Sequence, residues 1–331
     1  MNRPRTAEAQ DALRRYVVGQ ERASVSLSRL IDMHLAWFRD RNPLHRAPNA
    51  LLIGPTGTGK SHAIRMVANA MKIPLIVVDS TRLVSAGAND HLTLEGVLIN
   101  LVKKARQSQS TDAPELQAER GIVFLDEFDK LRYDTPFSES ASIQRRLLQF
   151  IEGDTLDLSV SEEDGPRSIV TNGILFIAAG AFSGIERLQS RRPMTGVEDP
   201  VSVDVIHPRD VREYGFLHEL VARLPVIIRF APLRAEELMA ILEHEDVSPL
   251  KFYRSYFEQH GFNIHLPEAT LRLVAKQAEQ IELGARGLHQ ELFPALSTLA
   301  DHVIGSPPTD IVITAAMYRD LRNNRYKPPY P

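Results

Sequence analysis

The sequence predicts an α/β domain built on a parallel sheet, followed by a smaller, mainly helical domain. Two observations carry this. Up to Phe230, short runs of consecutive apolar residues alternate with stretches of helical periodicity; beyond it the helical periodicity continues without them. Continuous apolar strands, rather than alternating ones, belong to sheets covered on both faces, as parallel sheets crossed by helices are. At 331 residues the chain is long enough for both domains.

Taken in order, residues 7–38 read as mainly helical with a break at Val17-Val18-Gly19-Gln20, and 39–49, with Pro43 and Pro48, as a loop. Buried strands are expected at 51–53, 75–78, 122–125 and 174–178, and a fifth at 226–230. Helices are expected between them at 60–71, 94–106 and 143–151. The acidic, hydroxyl-rich stretch 154–173 reads as a hairpin or loop, and 183–208, with Arg191-Arg192-Pro193, as irregular. Past Ala231-Pro232, helices are expected at 235–244, 249–260, 267–280 and 286–304, with Pro or Gly at several boundaries. The domains are therefore placed at 1–230 and 231–331.

Composition narrows the class. With 43% hydrophobic and 24% charged residues, disordered and collagen-like chains are excluded. A net charge of −3 argues against a uniformly basic nucleic-acid coat. The absence of cysteine removes disulfides, Cys-ligated zinc and thiol catalysis together. The polar N-terminus lacks the apolar core of a signal peptide, and no apolar run approaches the length of a membrane span. A soluble, cytoplasmic protein with no membrane partner is expected.

The strongest chemical signal is Gly54-Pro55-Thr56-Gly57-Thr58-Gly59-Lys60-Ser61. It matches the phosphate-binding P-loop pattern at every required position, after an expected strand and before an expected helix. The glycines let the backbone amides wrap phosphate oxygens, and the helix N-terminus adds a favourable dipole. Lys60 is placed at the β/γ oxygens of ATP and Ser61 on Mg²⁺. The alternative is a glycine-rich strand-to-helix turn without a ligand. Downstream, Ile122-Val123-Phe124-Leu125-Asp126-Glu127 sends an apolar strand into two acids, at the sheet edge where open α/β sheets bind ligands. Asp126 is then expected to support Mg²⁺ and Glu127 to position or polarise the attacking water. Two acids alone would read as a solvated edge; behind a complete P-loop they read as a catalytic pair.

In these motifs the chain resembles the AAA+ family and, within it, the ClpX/HslU protein-unfoldase branch. The resemblance runs from about Tyr16 to Leu292 and rests on residues 16–20, 54–61, 121–130, 148–153, 174–182, 214–226 and 284–288. It implies an AAA+ α/β domain with a helical lid, assembled with itself as a hexameric ring and acting on a protein client. It also implies that Val17 and Val18 line an adenine pocket, an ordinary core contact being the alternative. Arg223, in Arg223-Leu224-Pro225, resembles an arginine finger reaching a neighbouring subunit's nucleotide. Arg286, in Gly284-Ala285-Arg286-Gly287, resembles the lid's sensor arginine, tying lid rotation to the nucleotide. Ile177-Ala178-Ala179-Gly180 offers no polar side chain at the strand-end sensor position, which stays unassigned.

Three departures qualify the resemblance. Ala88 and Asn89, beside Gly87 and before His91, replace the aromatic-aliphatic pair that grips polypeptide in such unfoldases. Losing a large side chain forfeits roughly 1.5–3 kcal/mol of possible burial. The Ile-Gly-Phe tripeptide that docks a peptidase is missing from 183–208. An N-terminal zinc domain is not expected, from the lack of cysteine and the start near the first helix. A ClpP-type peptidase partner is therefore not expected. Other chemistries fail: there is no H-E-x-x-H, Gly180-Ala181-Phe182-Ser183-Gly184 is misspaced for a nucleophile elbow, and the histidines are scattered. Basic pairs such as Lys103-Lys104 read as solvated faces. The leading expectation is an ATP-driven remodeller of a protein complex. The alternatives are a nucleotide-gated scaffold and a nucleic-acid-associated motor, the last requiring steeply salt-dependent binding. From the loop alone, Lys60→Ala should severely weaken nucleotide binding in a titration, and unchanged affinity would overturn the phosphate assignment.

Overall fold

The structure is a computed structural model that describes residues 5–40, 46–83, 93–107, 113–135, 137–153, 155–159, 166–189 and 205–326. By their internal contacts the residues form two compact units, Met1–Gly54 with Lys60–Phe230, and Pro55–Gly59 with Ala231–Pro331.

The first unit opens with α1 (Arg5–Tyr16) and α2 (Glu21–Asp40), then β1 (Ala50–Ile53), α3 (Lys60–Ala70) and β2 (Leu75–Asp79). It continues through α4 (Leu94–Arg106), α5 (Pro114–Glu119), β3 (Ile122–Asp126) and α6 (Glu139–Glu152). A hairpin, β4 (Thr155–Ser159) and β5 (Pro166–Val170), precedes β6 (Leu175–Gly180), α7 (Ile185–Gln189), α8 (Pro208–Gly215), α9 (His218–Ala222) and β7 (Val226–Arg229). The main sheet has the order β2-β3-β6-β1-β7 and every pairing in it is parallel.

Alternate residues of each strand enter different cores. Leu51, Ile53, Val123, Leu125 and Phe176 pack with Val97 and Leu101 of α4, Leu147 and Ile151 of α6, and Leu220 of α9. Leu52, Ile122, Phe124, Leu175 and Ile177 pack with Leu13 of α1, Leu27 and Ile31 of α2, and Ile64 and Val67 of α3. Both faces are thus covered, which is why the strands read as unbroken apolar runs. Helix starts are capped locally. Thr93 accepts the Gly96 N–H (3.1 Å) and Ser138 the Ala141 N–H (3.2 Å). Lys103, Lys104 and Arg106 fill the last turn of α4, where cations complement the helix dipole.

The structure departs from expectation in places. Helix α6 starts at Glu139, four residues before the predicted start, because Ser138 caps it. The segment 183–208 contains α7 and the start of α8; α7 has only five residues, too few to show periodicity.

The second unit contains α10 (Ala235–Glu243), α11 (Leu250–Gln259), β8 (Asn263–His265), α12 (Glu268–Gln280), α13 (Ala285–Val303), β9 (Asp310–Val312) and α14 (Ala315–Arg322). Strands β8 and β9 form a small parallel pair. Helix α14, unexpected from the sequence, is fastened to α13 by the buried Glu291 carboxylate. Arg322 contacts it from two nitrogens, each at 2.6 Å, and the Tyr318 hydroxyl donates to the Glu291 carbonyl at 3.1 Å. Burial, and then the Glu291 charge, push the Tyr318 hydroxyl well above its ordinary pKa. A buried carboxylate is tolerable here because the Arg322 guanidinium pairs with both of its oxygens and the Tyr318 hydroxyl also lies 3.2 Å from Oε2. Within this unit Gly57 and Gly284 both adopt positive φ (73° and 54°), and the Ala285 N–H donates to the Gly57 carbonyl at 3.0 Å.

In the first unit, His34 of α2 is buried and its Nε2 contacts the Arg120 carbonyl at 2.9 Å, just before β3. A carbonyl only accepts, so this nitrogen carries the proton. Burial lowers the His34 pKa from 6.5 to about 4, the Arg120 hydrogen bond raising it and the Arg46 charge lowering it less strongly. Above the unfolded pKa both states are neutral and the His34 contribution is complete. As pH falls from 6.5 to 4 the unfolded chain takes up a proton that the folded chain refuses, and about 3 kcal/mol is lost. Thermal melts from pH 7 to pH 4 should therefore show less acid destabilisation for His34→Gln than for the wild type. Identical pH profiles would contradict this.

Candidate nucleotide site

Strands β1, β6 and β3 end side by side, with Ile53 opposite Gly180 and Leu125 opposite Ala178. Strands β1 and β3 each continue into a polar turn. After β1, Gly54 leaves no room for a side chain, since a Cβ would stand 2.3 Å from the Phe230 carbonyl oxygen. Gly57 and Gly59 take positive φ (73° and 94°), a region that favours glycine, and the Thr58 hydroxyl donates to the Pro55 carbonyl (2.8 Å). Lys60 and Ser61 then open α3. The Lys60 ammonium is buried and donates to the Gly54 carbonyl.

Ser61 provides the decisive contact, because its hydroxyl donates to Oδ2 of Asp126 at 2.5 Å. Residues 65 apart in sequence thus place a hydroxyl and a carboxylate together. The other Asp126 oxygen accepts the Glu127 N–H at 3.0 Å. Glu127 is exposed and left-handed (φ 53°, ψ 34°), heading a 3₁₀ turn over Phe128–Leu131. A non-glycine residue in that conformation costs about 1–3 kcal/mol, and such strain concentrates at functional positions.

Asp129, in the same turn, is a site residue that sequence reading missed. Its Oδ1 accepts the Ala181 N–H at 3.2 Å, directly after β6. A polar side chain thus meets this strand end from the neighbouring turn, and 177–180 themselves offer none. Asn49 was also missed. Its side chain accepts the Phe176 N–H (3.0 Å) and donates to the Arg223 carbonyl (3.2 Å), joining β6 to the chain before β7. Its only sequence signal is a polar residue directly before an apolar strand.

The other expected residues are placed as follows. Val17 is buried in the core shared by α1, α2 and α3, while Val18 is half-buried in the break between α1 and α2. His62, next to Ser61, contacts the Tyr16 carbonyl at 3.1 Å and ties that break to α3. Arg223 caps the C-terminus of α9, and its guanidinium pairs with Glu152 of α6 at 2.8 Å, both about half exposed. Arg46 lies nearby, donating to Asn172 Oδ1 (2.8 Å); burial, and then the Arg223 charge, lower its pKa. Arg286 is exposed in the first turn of α13, within the second unit. Gly87, Ala88, Asn89 and His91 lie outside the described residues, as does most of the segment searched for a peptidase-docking tripeptide.

A family model described as AAA domain (Cdc48 subfamily) matches residues 45–227, over half of the chain. The ATP-dependent Clp protease ATP-binding subunit ClpX of Porphyromonas gingivalis is 31% identical over 312 residues, covering 86% of this chain and 74% of that protein. ClpX of Bacteroides thetaiotaomicron is 30% identical over 314 residues, with the same coverage. ClpX 3 of Methylococcus capsulatus is 29% identical over 351 residues, covering 94% and 77%. The chain is a ClpX-like AAA+ ATPase.

As a member of this family it binds nucleotide, and its α/β sheet with a helical part is the family's fold. Among the described residues of this ATPase, no helix is long and apolar enough to cross a membrane. The left-handed backbone at Glu127 gives a stability test independent of activity. Asn tolerates this conformation, so Glu127→Asn should stabilise the protein by about 1 kcal/mol, or roughly 2–4 °C in melting temperature. A lowered melting temperature would show that the turn is not strained.

Proposed function

We propose that this ATPase hydrolyses ATP at the junction of β1 and β3 and uses the cycle to remodel a protein partner, without a ClpP-type peptidase. The observation that carries the site is the Ser61–Asp126 contact, which joins the phosphate loop to the acid strand. Residues 54–61 hold the phosphates, Lys60 turning from the Gly54 carbonyl to the β/γ oxygens. A hydroxyl and a carboxylate, both hard oxygen donors, suit Mg²⁺, which binds through few protein ligands plus phosphate. Ser61 and Asp126 would hold that ion, which supplies charge neutralisation at the phosphate oxygens. Glu127, exposed beside Asp126, orients water and takes its proton as the water oxygen attacks the γ-phosphorus. The bond to the β–γ bridging oxygen then breaks, giving ADP and phosphate.

In this reading residues 1–230 form the ATPase domain and 231–331 a lid, with Arg286 sensing the nucleotide and Val17 and Val18 against the adenine. Six copies form a ring in which Arg223 leaves Glu152 for the neighbour's γ-phosphate. That pair is half exposed and worth no more than about 1 kcal/mol, so the exchange is inexpensive. The sequence supports a remodelling role without a peptidase through Ala88 and Asn89 in the gripping loop and the missing tripeptide in 183–208. A cytoplasmic location fits the absence of cysteine.

Purified protein should hydrolyse ATP, faster with its protein partner present. Glu127→Gln should lower turnover at least 10²-fold with ATP affinity retained. Arg223→Ala should lower it on the order of 10³-fold, and mixing the two variants should restore hydrolysis, because each supplies what the other lacks. No hydrolysis from the assembled wild type would end this reading; no restoration on mixing would remove the role of Arg223 in trans.

A further inference from the structure

One buried amide joins the Glu127 turn to the Arg223 helix. Gln144 lies on the apolar stripe of α6, between Ala141 and Leu147, and is fully buried. Its Nε2 donates to the carbonyls of Leu131 (2.8 Å) and Gly215 (3.2 Å), and its Oε1 accepts the Leu217 N–H (2.8 Å). Leu131 closes the 3₁₀ turn that Glu127 begins, and Leu217 is the N-cap of α9, whose C-cap is Arg223. A primary amide offers two donors and an acceptor at one end of a neutral side chain, which is what two carbonyls and one N–H require here. Without it, the Leu131 carbonyl and the Leu217 N–H lose this partner in an apolar core.

A second set of contacts fastens the same join. Phe128, next to Glu127, stacks on Phe216 with centroids 5.0 Å apart and planes at 20°. The Tyr133 N–H donates to the Gly215 carbonyl at 3.1 Å. Gly215 has φ 118°, and a Cβ on it would stand 3.0 Å from the Tyr133 carbonyl oxygen, so the two backbones pass too closely for a side chain.

We propose that Gln144 is a positioning residue for hydrolysis, locking into one body the carboxylate that serves its own nucleotide and the arginine that serves the neighbour's. This rests on the roles proposed above for Glu127 and Arg223. The phosphate loop is held by β1 and α3 instead, so loosening the join affects the chemical step and leaves binding in place. Helix α6 also carries Glu152, the ion-pair partner of Arg223, and so touches the arginine's segment at two points.

The test is Gln144→Met, similar in length and without hydrogen-bonding groups, studied as the full-length assembly. Its kcat should fall at least tenfold while ATP affinity stays within threefold of wild type. It should also fail to restore hydrolysis when mixed with either Glu127→Gln or Arg223→Ala protomers, although those two restore each other. A kcat within twofold of wild type overturns the proposal. Restoration with either partner also overturns it, since only one group would then depend on Gln144. If Gln144→Met does not fold, Phe216→Leu decides: it keeps apolar volume and loses the stack. A threefold or larger fall in kcat with unchanged affinity supports the join, and wild-type kcat overturns it. If Glu127→Gln and Arg223→Ala fail to restore each other, the roles themselves fall and the proposal with them.

Discussion

At Gly180 there is no room for a methyl group. A Cβ would stand 2.5 Å from Oδ1 of Asp129 and 2.9 Å from its backbone nitrogen. This closeness brings the end of β6 onto the turn after β3, where the Ala181 N–H reaches Asp129, while on the other side the Gly54 N–H donates to the Gly180 carbonyl (3.3 Å). The middle strand is thereby fastened to both of the polar turns that flank it. Two strand spacings, about 10 Å, separate the backbones of β1 and β3. The Ser61 and Asp126 side chains close that gap to 2.5 Å. A bulkier residue at 180 would push the acid turn away from the phosphate loop.

The same turn holds a strained residue in close confinement. Glu127 occupies a backbone region that asparagine or glycine would fill with less strain, and its carboxylate stands exposed beside that of Asp126. Around it the structure is over-determined. Asp129 is buried against β6, Phe128 is stacked on Phe216, and Leu131 is held by Gln144. Strain at one residue persists only when its neighbours leave it no alternative, and these contacts supply that confinement. Phe182, also at positive φ (50°) and fully buried, packs against Tyr214 and Phe216 on the far side of the same cluster.

How much was legible in the sequence follows from how local each signal is. The five sheet strands lie within two residues of their expected places, since burial on both faces writes unbroken apolar runs. That the glycine-rich loop and the acid pair follow neighbouring strands and meet through Ser61 and Asp126 was within reach, because each is a contiguous motif directly after an apolar run. Strands β8 and β9, three residues each, and the five-residue helices α7 and α9 are too short to display a period. Asn49, Asp129 and Gln144 escaped notice for another reason. They serve backbone groups as far as 174, 52 and 73 positions away, and nothing near them in the chain names those partners. For Gln144 the one clue is an amide among Ala141, Leu147 and Ile151, where an apolar residue is expected.

Close packing at Gly180 brings the acid turn to the phosphate loop, and Gly180→Ala tests this most directly. Steady-state hydrolysis and ATP affinity should be measured together on this variant and the wild type. One added methyl against Asp129 should lower kcat at least tenfold, with affinity within threefold, because residues 54–61 remain on β1 and α3. Wild-type turnover from Gly180→Ala would contradict the account and show that the carboxylates find their place without the strand between them.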